Sequence, residues 1–227
     1  MKDEKTKFFT EIKNNIKKEI KDKGIGSLSK ILENFRETYI KEISKFGIKD
    51  TEQSWKPFKG NLLEEIILEN IFVEVEKAGL KALKGNKLEK EESKLNECLS
   101  KVKRSLVVDY GKFGMHLPDA DVIIFNPEEC KALAVISSKS TLRERVAQTG
   151  YWFLKLKSSR LTKKIKVFFI TLDEDGDLVV KHPAKKGRAI AEIDTDGTFV
   201  ITSKTIEESS KVKKFEKFLE EIEKLKS

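Results

Sequence analysis

Apolar residues recur at helical spacing through the first half of the chain and give way to short β-branched runs after Ser105. Residues 4–23 carry Phe8, Phe9, Ile12, Ile16 and Ile20 on one stripe, and Gly24 and Gly26 end that segment. A second helix starts at Ser27 or Ser29 and carries Leu28, Ile31, Leu32, Phe35, Tyr39 and Ile43. After the stretch Trp55-Lys56-Pro57-Phe58-Lys59-Gly60, residues 61–78 form the clearest apolar helix, with Gly79 as its stop. Residues 85–104, rich in lysine and glutamate, read as a surface helix.

The β-branched runs are LVV (106–108), DVIIF (121–125), ALAVIS (132–137), KVFFITL (166–172), DLVV (177–180) and TFVIT (198–202). Asn126-Pro127, Asp175-Gly176 and Asp196-Gly197 punctuate them as turns. A helical segment covers roughly 141–158, and residues 206–226 place Val212, Phe215, Leu219, Ile222 and Leu225 on one helical stripe. The pattern predicts an α/β fold with a mixed central sheet flanked by helices. It divides into a helical region over 1–50, a core over 51–205 and a C-terminal helix over 206–227.

Charge sharpens this picture more than composition does. Charged residues make up 37% of the chain and the net charge is +8, which suggests a polyanionic partner, nucleic acid or an acidic membrane, although charge alone does not exclude a merely basic soluble surface. The two cysteines, Cys98 and Cys130, form no CxxC or Cys/His cluster, so a zinc site is not expected. Free thiols in a reducing cytoplasm are the expectation. The N-terminus lacks the apolar core of a signal peptide, and no apolar run is long enough to span a bilayer, so the protein is expected to be cytoplasmic with no membrane partner.

The stretch 118–145, PDADVIIFNPEECKALAVISSKSTLRER, carries the candidate chemistry. Side chains alternate across a strand, so Asp119 and Asp121 share a face if the segment is extended, as do Ser137 and Lys139 in the next run. Pairing the two as a hairpin brings the aspartates near Ser137 and Lys139. Aspartate is a hard oxygen ligand for Mg²⁺, and a lysine beside it can orient the attacking water and offset phosphate charge. Polar strand ends are commonplace, and the combination is what raises the signal. His116 and His182 are the only histidines, and no Ser/His/Asp arrangement is visible.

Pro118-Asp119, a spacer, and a residue–X–lysine ending at Lys139 resemble the PD-(D/E)XK nuclease superfamily. The segment SSKSTLRERVAQTGYW resembles the stretch after the lysine in type II restriction endonucleases of the BsaWI kind. WKPFKGNLLEEII resembles the upstream helix that lends such sites a glutamate. The resemblance covers roughly 55–172. It implies Mg²⁺-dependent, sequence-specific hydrolysis of double-stranded DNA that leaves 5′-phosphates, by a homodimer, since cutting a symmetric site needs two centres. Asp119 or Asp121 would hold the metal and Lys139 would position the water. Ser137 stands where the pattern has Asp or Glu. Glu144 is the candidate replacement, yet Thr141-Leu142-Arg143-Glu144 also reads as a capping box with Glu144 as a cap. For the upstream carboxylate, a turn of about 100° per residue sets Glu64 at the edge of the apolar side formed by Leu62, Leu63, Ile66, Ile67, Asn70, Ile71 and Val73. Glu65 points away from it.

Arg143 and Arg145 are candidate phosphate contacts at a helix start, as are Ser140 and Lys155 or Lys157 nearby. The basic run 181–188, with Lys185, Lys186 and Arg188, reads as a loop able to meet DNA. Two alternatives accompany this reading. One is a repair or recombination nuclease of the same superfamily. The other is a DNA-binding module without catalysis, which the loss of a carboxylate at Ser137 would suit.

Overall fold

Three helices begin the chain in a computed structural model that describes residues 2–142 and 145–226. They are α1 (Lys2–Lys23), α2 (Leu28–Ser44) and α3 (Thr51–Lys77). The third begins at Thr51 rather than at 61 because Asp50 caps it, accepting from the Gln53 N–H at 2.8 Å. Its first turns are then held by Trp55 and Phe58, whose rings lie 4.9 and 4.7 Å from Tyr39. This packing outweighs the hydrogen bond that Pro57 removes inside the helix. Gly79, at φ 68°, ends it: its N–H donates to Glu76 and the Leu80 N–H reaches back to Val75, a Schellman closure.

The sheet is mixed. In chain order the remaining elements are β1 (Lys81–Lys84), α4 (Glu97–Leu106), β2 (Val108–Asp109), β3 (Met115–His116), β4 (Val122–Asn126), β5 (Lys131–Lys139), α5 (Arg145–Ser158), β6 (Lys166–Thr171), α6 (Lys186–Ile193), β7 (Gly197–Val200), β8 (Val212–Lys214) and α7 (Phe218–Glu223). Six strands run in the order β1-β4-β5-β6-β7-β8, and β2 and β3 form a separate hairpin. β4 runs antiparallel to both of its neighbours, β1 and β5, while β5 to β8 are parallel. Two of the parallel steps cross over through α5 and α6, as parallel pairing requires.

Both sheet faces are covered. Val122, Ile124, Ile136, Phe168 and Ile170 pack against α1–α3 and α7, and Ile123, Val135 and Val167 pack against α4 and α5. Ile12, Ile16, Phe215, Phe218 and Ile222 all lie in the first of these cores, so the stripes at both ends of the chain are used in internal packing.

Four expectations are corrected. Residues 85–104 are not one helix: short 3-10 turns precede α4, and the edge strand β1 just before them has no alternation to betray it. DLVV (177–180) forms no strand, because the Asp173 carboxylate takes the N–H groups of Asp177 and Leu178 at 2.9 Å each. Residues 206–226 are not one helix but the edge strand β8 followed by the short α7. Cys98 and Cys130 are not free thiols: their Cα atoms lie 5.0 Å apart in a disulfide joining α4 to the turn between β4 and β5. Among the described residues no helix is long and apolar enough to cross a membrane.

Candidate active site at the end of the central hairpin

Asp121 immediately precedes β4, and its backbone is fixed from two sides. Its N–H donates to Ile136 O and its carbonyl accepts from Gly85 N–H, both at 2.9 Å. The carboxylate accepts from the Ser138 N–H at 2.6 Å and from the Lys139 ammonium at 2.9 and 3.1 Å. The Ser138 hydroxyl lies at 3.4 Å. Lys139 ends β5, so the antiparallel register of the hairpin brings it back to the start of β4.

Glu64 reaches the same place from α3. Burial and the charge of Asp121 push its carboxyl above the usual range, while Lys84 and Lys139 oppose the rise. Lys84, the last residue of β1, sits 3.6 Å from Glu64 and 3.8 Å from Glu65. Glu65 has a different role. Burial would raise its pKa, but Lys13 at 2.8 Å, with Lys84 and Lys17, holds it below the ordinary value. It clamps α1 to α3, whereas Glu64 faces the hairpin. The site therefore holds two carboxylates and two ammonium groups on elements far apart in sequence.

The other anticipated residues are distributed more widely. Ser137 is half-buried on β5 and supplies no carboxylate. Asp119 lies outside β4 on an exposed segment, accepting from Gln148 Nε2 of α5 at 2.5 Å. Glu144 and Arg143 lie outside the described residues. Arg145 is exposed at the first residue of α5. The Ser140 carbonyl accepts from the Glu174 N–H at 3.3 Å. Lys157 is engaged with Asp196 at 2.8 Å and with the Ile165 carbonyl.

The basic run around 181–188 is only partly a loop. Lys185 and Lys186 are exposed, the former paired with Asp177 at 2.9 Å, but α6 already begins at Lys186. Arg188 is a correction. It is 0% exposed, and its guanidinium binds Glu192, Leu178 O and Glu207 O at 2.8, 2.5 and 2.7 Å, so it has no surface to offer phosphate. Sequence reasoning missed Lys84, Gly85 and Ser138. A lysine at the end of an unrecognised edge strand carries no local signal.

A mixed sheet with a carboxylate and a lysine meeting at the end of its central hairpin, and a helical glutamate above them, belongs to the restriction-endonuclease class of α/β folds. The solved structures bear out that architecture. A BsaWI–DNA complex matches with TM-score 0.50 at 16% identity, covering 95% of this chain and 81% of the other. A PspGI–substrate DNA complex matches with TM-score 0.53 at 14% identity, covering 96% and 92%.

Sequence comparison narrows the class to a family. The BsaWI restriction endonuclease type 2 family matches residues 98–223. The protein described as "Putative type II restriction enzyme MjaVIP" from Methanocaldococcus jannaschii is 38% identical over 213 residues, spanning 87% of this chain and 92% of that one. The "Probable type II restriction enzyme HpyAORF263P" from Helicobacter pylori is 41% identical over 92 residues, 40% of this chain and 47% of its own. The chain belongs to the BsaWI type 2 restriction endonuclease family, and is thereby a site-specific deoxyribonuclease.

Proposed function

We propose that the protein cuts double-stranded DNA in a Mg²⁺-dependent reaction centred on Asp121, Lys139 and Glu64, leaving 5′-phosphates. The observation that carries this reading is the meeting of Asp121 and Lys139 at 2.9 Å at the end of the hairpin, with Glu64 of α3 beside them, its carboxyl raised by burial and by the charge of Asp121. Two hard oxygen donors under mutual repulsion fit a divalent cation. Mg²⁺ in particular takes one or two carboxylates and completes its shell with water and phosphate oxygen. Among the described residues no third His, Cys, Asp or Glu joins them, in keeping with Ser137 on the hairpin.

A cation held by Asp121 and Glu64 would supply Lewis-acid polarisation of the scissile phosphate. The remaining work falls to the chain itself. The Lys139 ammonium, bonded to Asp121 in its resting position, orients the attacking water in line with the leaving oxygen and offsets charge on the phosphate. Ser138 N–H holds the Asp121 carboxylate in place. Lys84 steadies Glu64. Asp119 serves as an outer support through Gln148, and Glu144 is retained as the candidate third carboxylate. Arg143, Arg145, Ser140, Lys185 and Lys186 form the candidate DNA-contact set. A symmetric recognition site calls for a homodimer, and a DNA substrate places the protein in the cytoplasm.

Digestion of mixed-sequence duplex DNA with Mg²⁺, followed by sequencing of the ends, tests this reading. It predicts cuts at one short sequence with 5′-phosphate termini. Random ends would favour a repair nuclease, and intact DNA that is nevertheless bound would favour a binding module.

A further inference from the structure

The β2–β3 hairpin carries the most exposed aromatic side chain of the described residues, and it lies beside the proposed centre. Its tip, Gly111-Lys112-Phe113-Gly114, is shaped by two glycines at φ 63° and 87°. Backbone bonds from Tyr110 N–H to Gly114 O and from Gly114 N–H to Gly111 O close it. The chain thus fixes a turn that thrusts out Phe113, 72% exposed, next to Met115 at 61%. Only Leu117 and Pro118 separate the hairpin from Asp119, which is tied to Gln148 of α5. One turn further along α5, Tyr151 bonds the Tyr110 hydroxyl at 2.7 Å, and Leu154 stands 58% exposed.

Two ammonium groups sit against the aromatic rings of this face. Lys155 lies 4.9 Å from the Tyr110 ring centre and Lys112 lies 5.1 Å from that of Phe113. Asp109 at the base of the hairpin is exposed too, and its carboxylate accepts from the Gly111 N–H at 2.7 Å, which holds it to its own turn. Apolar patches of this kind mark interaction sites. Cations interleaved with aromatic rings select a polyanion that also offers flat apolar faces, which is nucleic acid. A two-stranded ribbon is also narrow enough to enter a groove of the duplex.

We propose that this face is a DNA-contact surface flanking the cut site, with Phe113 entering a groove against the bases and Lys112 and Lys155 on the adjoining phosphates. The inference rests on the nuclease reading for its ligand but uses none of the residues placed in the centre.

The test is fluorescence anisotropy with mixed-sequence duplex DNA, Ca²⁺ replacing Mg²⁺, at several salt concentrations. Phe113→Ala should weaken binding roughly ten-fold with the salt slope unchanged. The double variant Lys112→Gln/Lys155→Gln should lower the salt slope by about two. Thermal stability of Phe113→Ala should match the wild type, because the ring is exposed. Wild-type binding with variants that bind equally well overturns this surface and leaves the nuclease reading standing. A wild type that binds no duplex overturns both. If Phe113→Ala converts a dimer to a monomer in sedimentation at unchanged DNA affinity, the occupant is a second copy and the proposal is overturned.

Discussion

Replacing Gly85 by alanine should disable the site without touching any group placed in its chemistry. Gly85 follows Lys84 at the end of β1, and its N–H donates to the Asp121 carbonyl at 2.9 Å. A Cβ built there falls deep inside contact distance of the Ala120 carbonyl oxygen and 2.9 Å from the carbonyl carbon, and both atoms are backbone. Ordinary contact requires the two segments to part by at least about 1 Å. That movement breaks the hydrogen bond and carries Asp121 away from Ser138 and Lys139. Overpacking of this kind costs about 1–3 kcal/mol. A displacement of about 1 Å in a reacting group costs about 100-fold in rate. Single-turnover cleavage at saturating Mg²⁺, with thermal melting alongside, reads the two effects separately. Gly60→Ala is the control, since its Cβ meets nothing within 4 Å inside α3, and it should be neutral or stabilise the fold by up to about 1 kcal/mol. A folded Gly85→Ala protein that cuts at the wild-type rate would refute the idea that this close approach sets the position of Asp121.

Asp121→Ala should abolish cleavage, about 1,000-fold or more, whereas Asp119→Ala should reduce it about ten-fold or less, because Asp119 contacts Gln148 from an exposed segment; rates on one oligonucleotide substrate compare them. Arg188→Met should lower stability by about 3–5 kcal/mol, seen in denaturant unfolding, by stripping Leu178 O and Glu207 O of their buried donor, while DNA affinity of the folded protein stays unchanged. For Glu64 the sign follows from its raised pKa. Its contribution to stability is present below the ordinary value of 4.5 and lost as pH rises through the elevated one. Cation binding needs the ionised form, so Mg²⁺ affinity should climb with pH across that elevated range. A Glu64→Gln profile that keeps the same pH dependence would show that another group sets it.

The parts of the fold legible in the sequence are those with long, regular periodicity. The stripes of α1 and α2 and the runs of β4, β5 and β6 are buried in the expected order, and DVIIF pairs with ALAVIS as a hairpin. The illegible parts are held by contacts distant in sequence. Leu178 and Val179 look like a strand, but the Leu178 backbone is satisfied by Asp173 and Arg188 and the Val179 carbonyl by the Glu207 N–H, with no neighbouring strand. The stripe from Val212 to Ile222 splits because Val212 pairs with Thr198 at the sheet edge. Within the site, helical spacing sets Glu64 and Glu65 on different sides of α3, and Glu65 pairs with lysines of α1. Strand alternation did not separate Asp119 from Asp121, because β4 begins only at Val122. The contributions of Lys84 and Gly85 depend on pairing between β1 and β4, which no local pattern announces.

In the proposed reaction Lys139 and its carboxylate partners form the cleavage centre. Lys139→Ala assayed on plasmid DNA with Mg²⁺, beside its melting temperature and its DNA affinity in Ca²⁺, separates chemistry from folding and binding. The expected result is a folded variant that binds duplex DNA as the wild type does and leaves the plasmid supercoiled, while the wild type linearises it. A Lys139→Ala protein that cuts at the wild-type rate would place the chemistry elsewhere in the molecule.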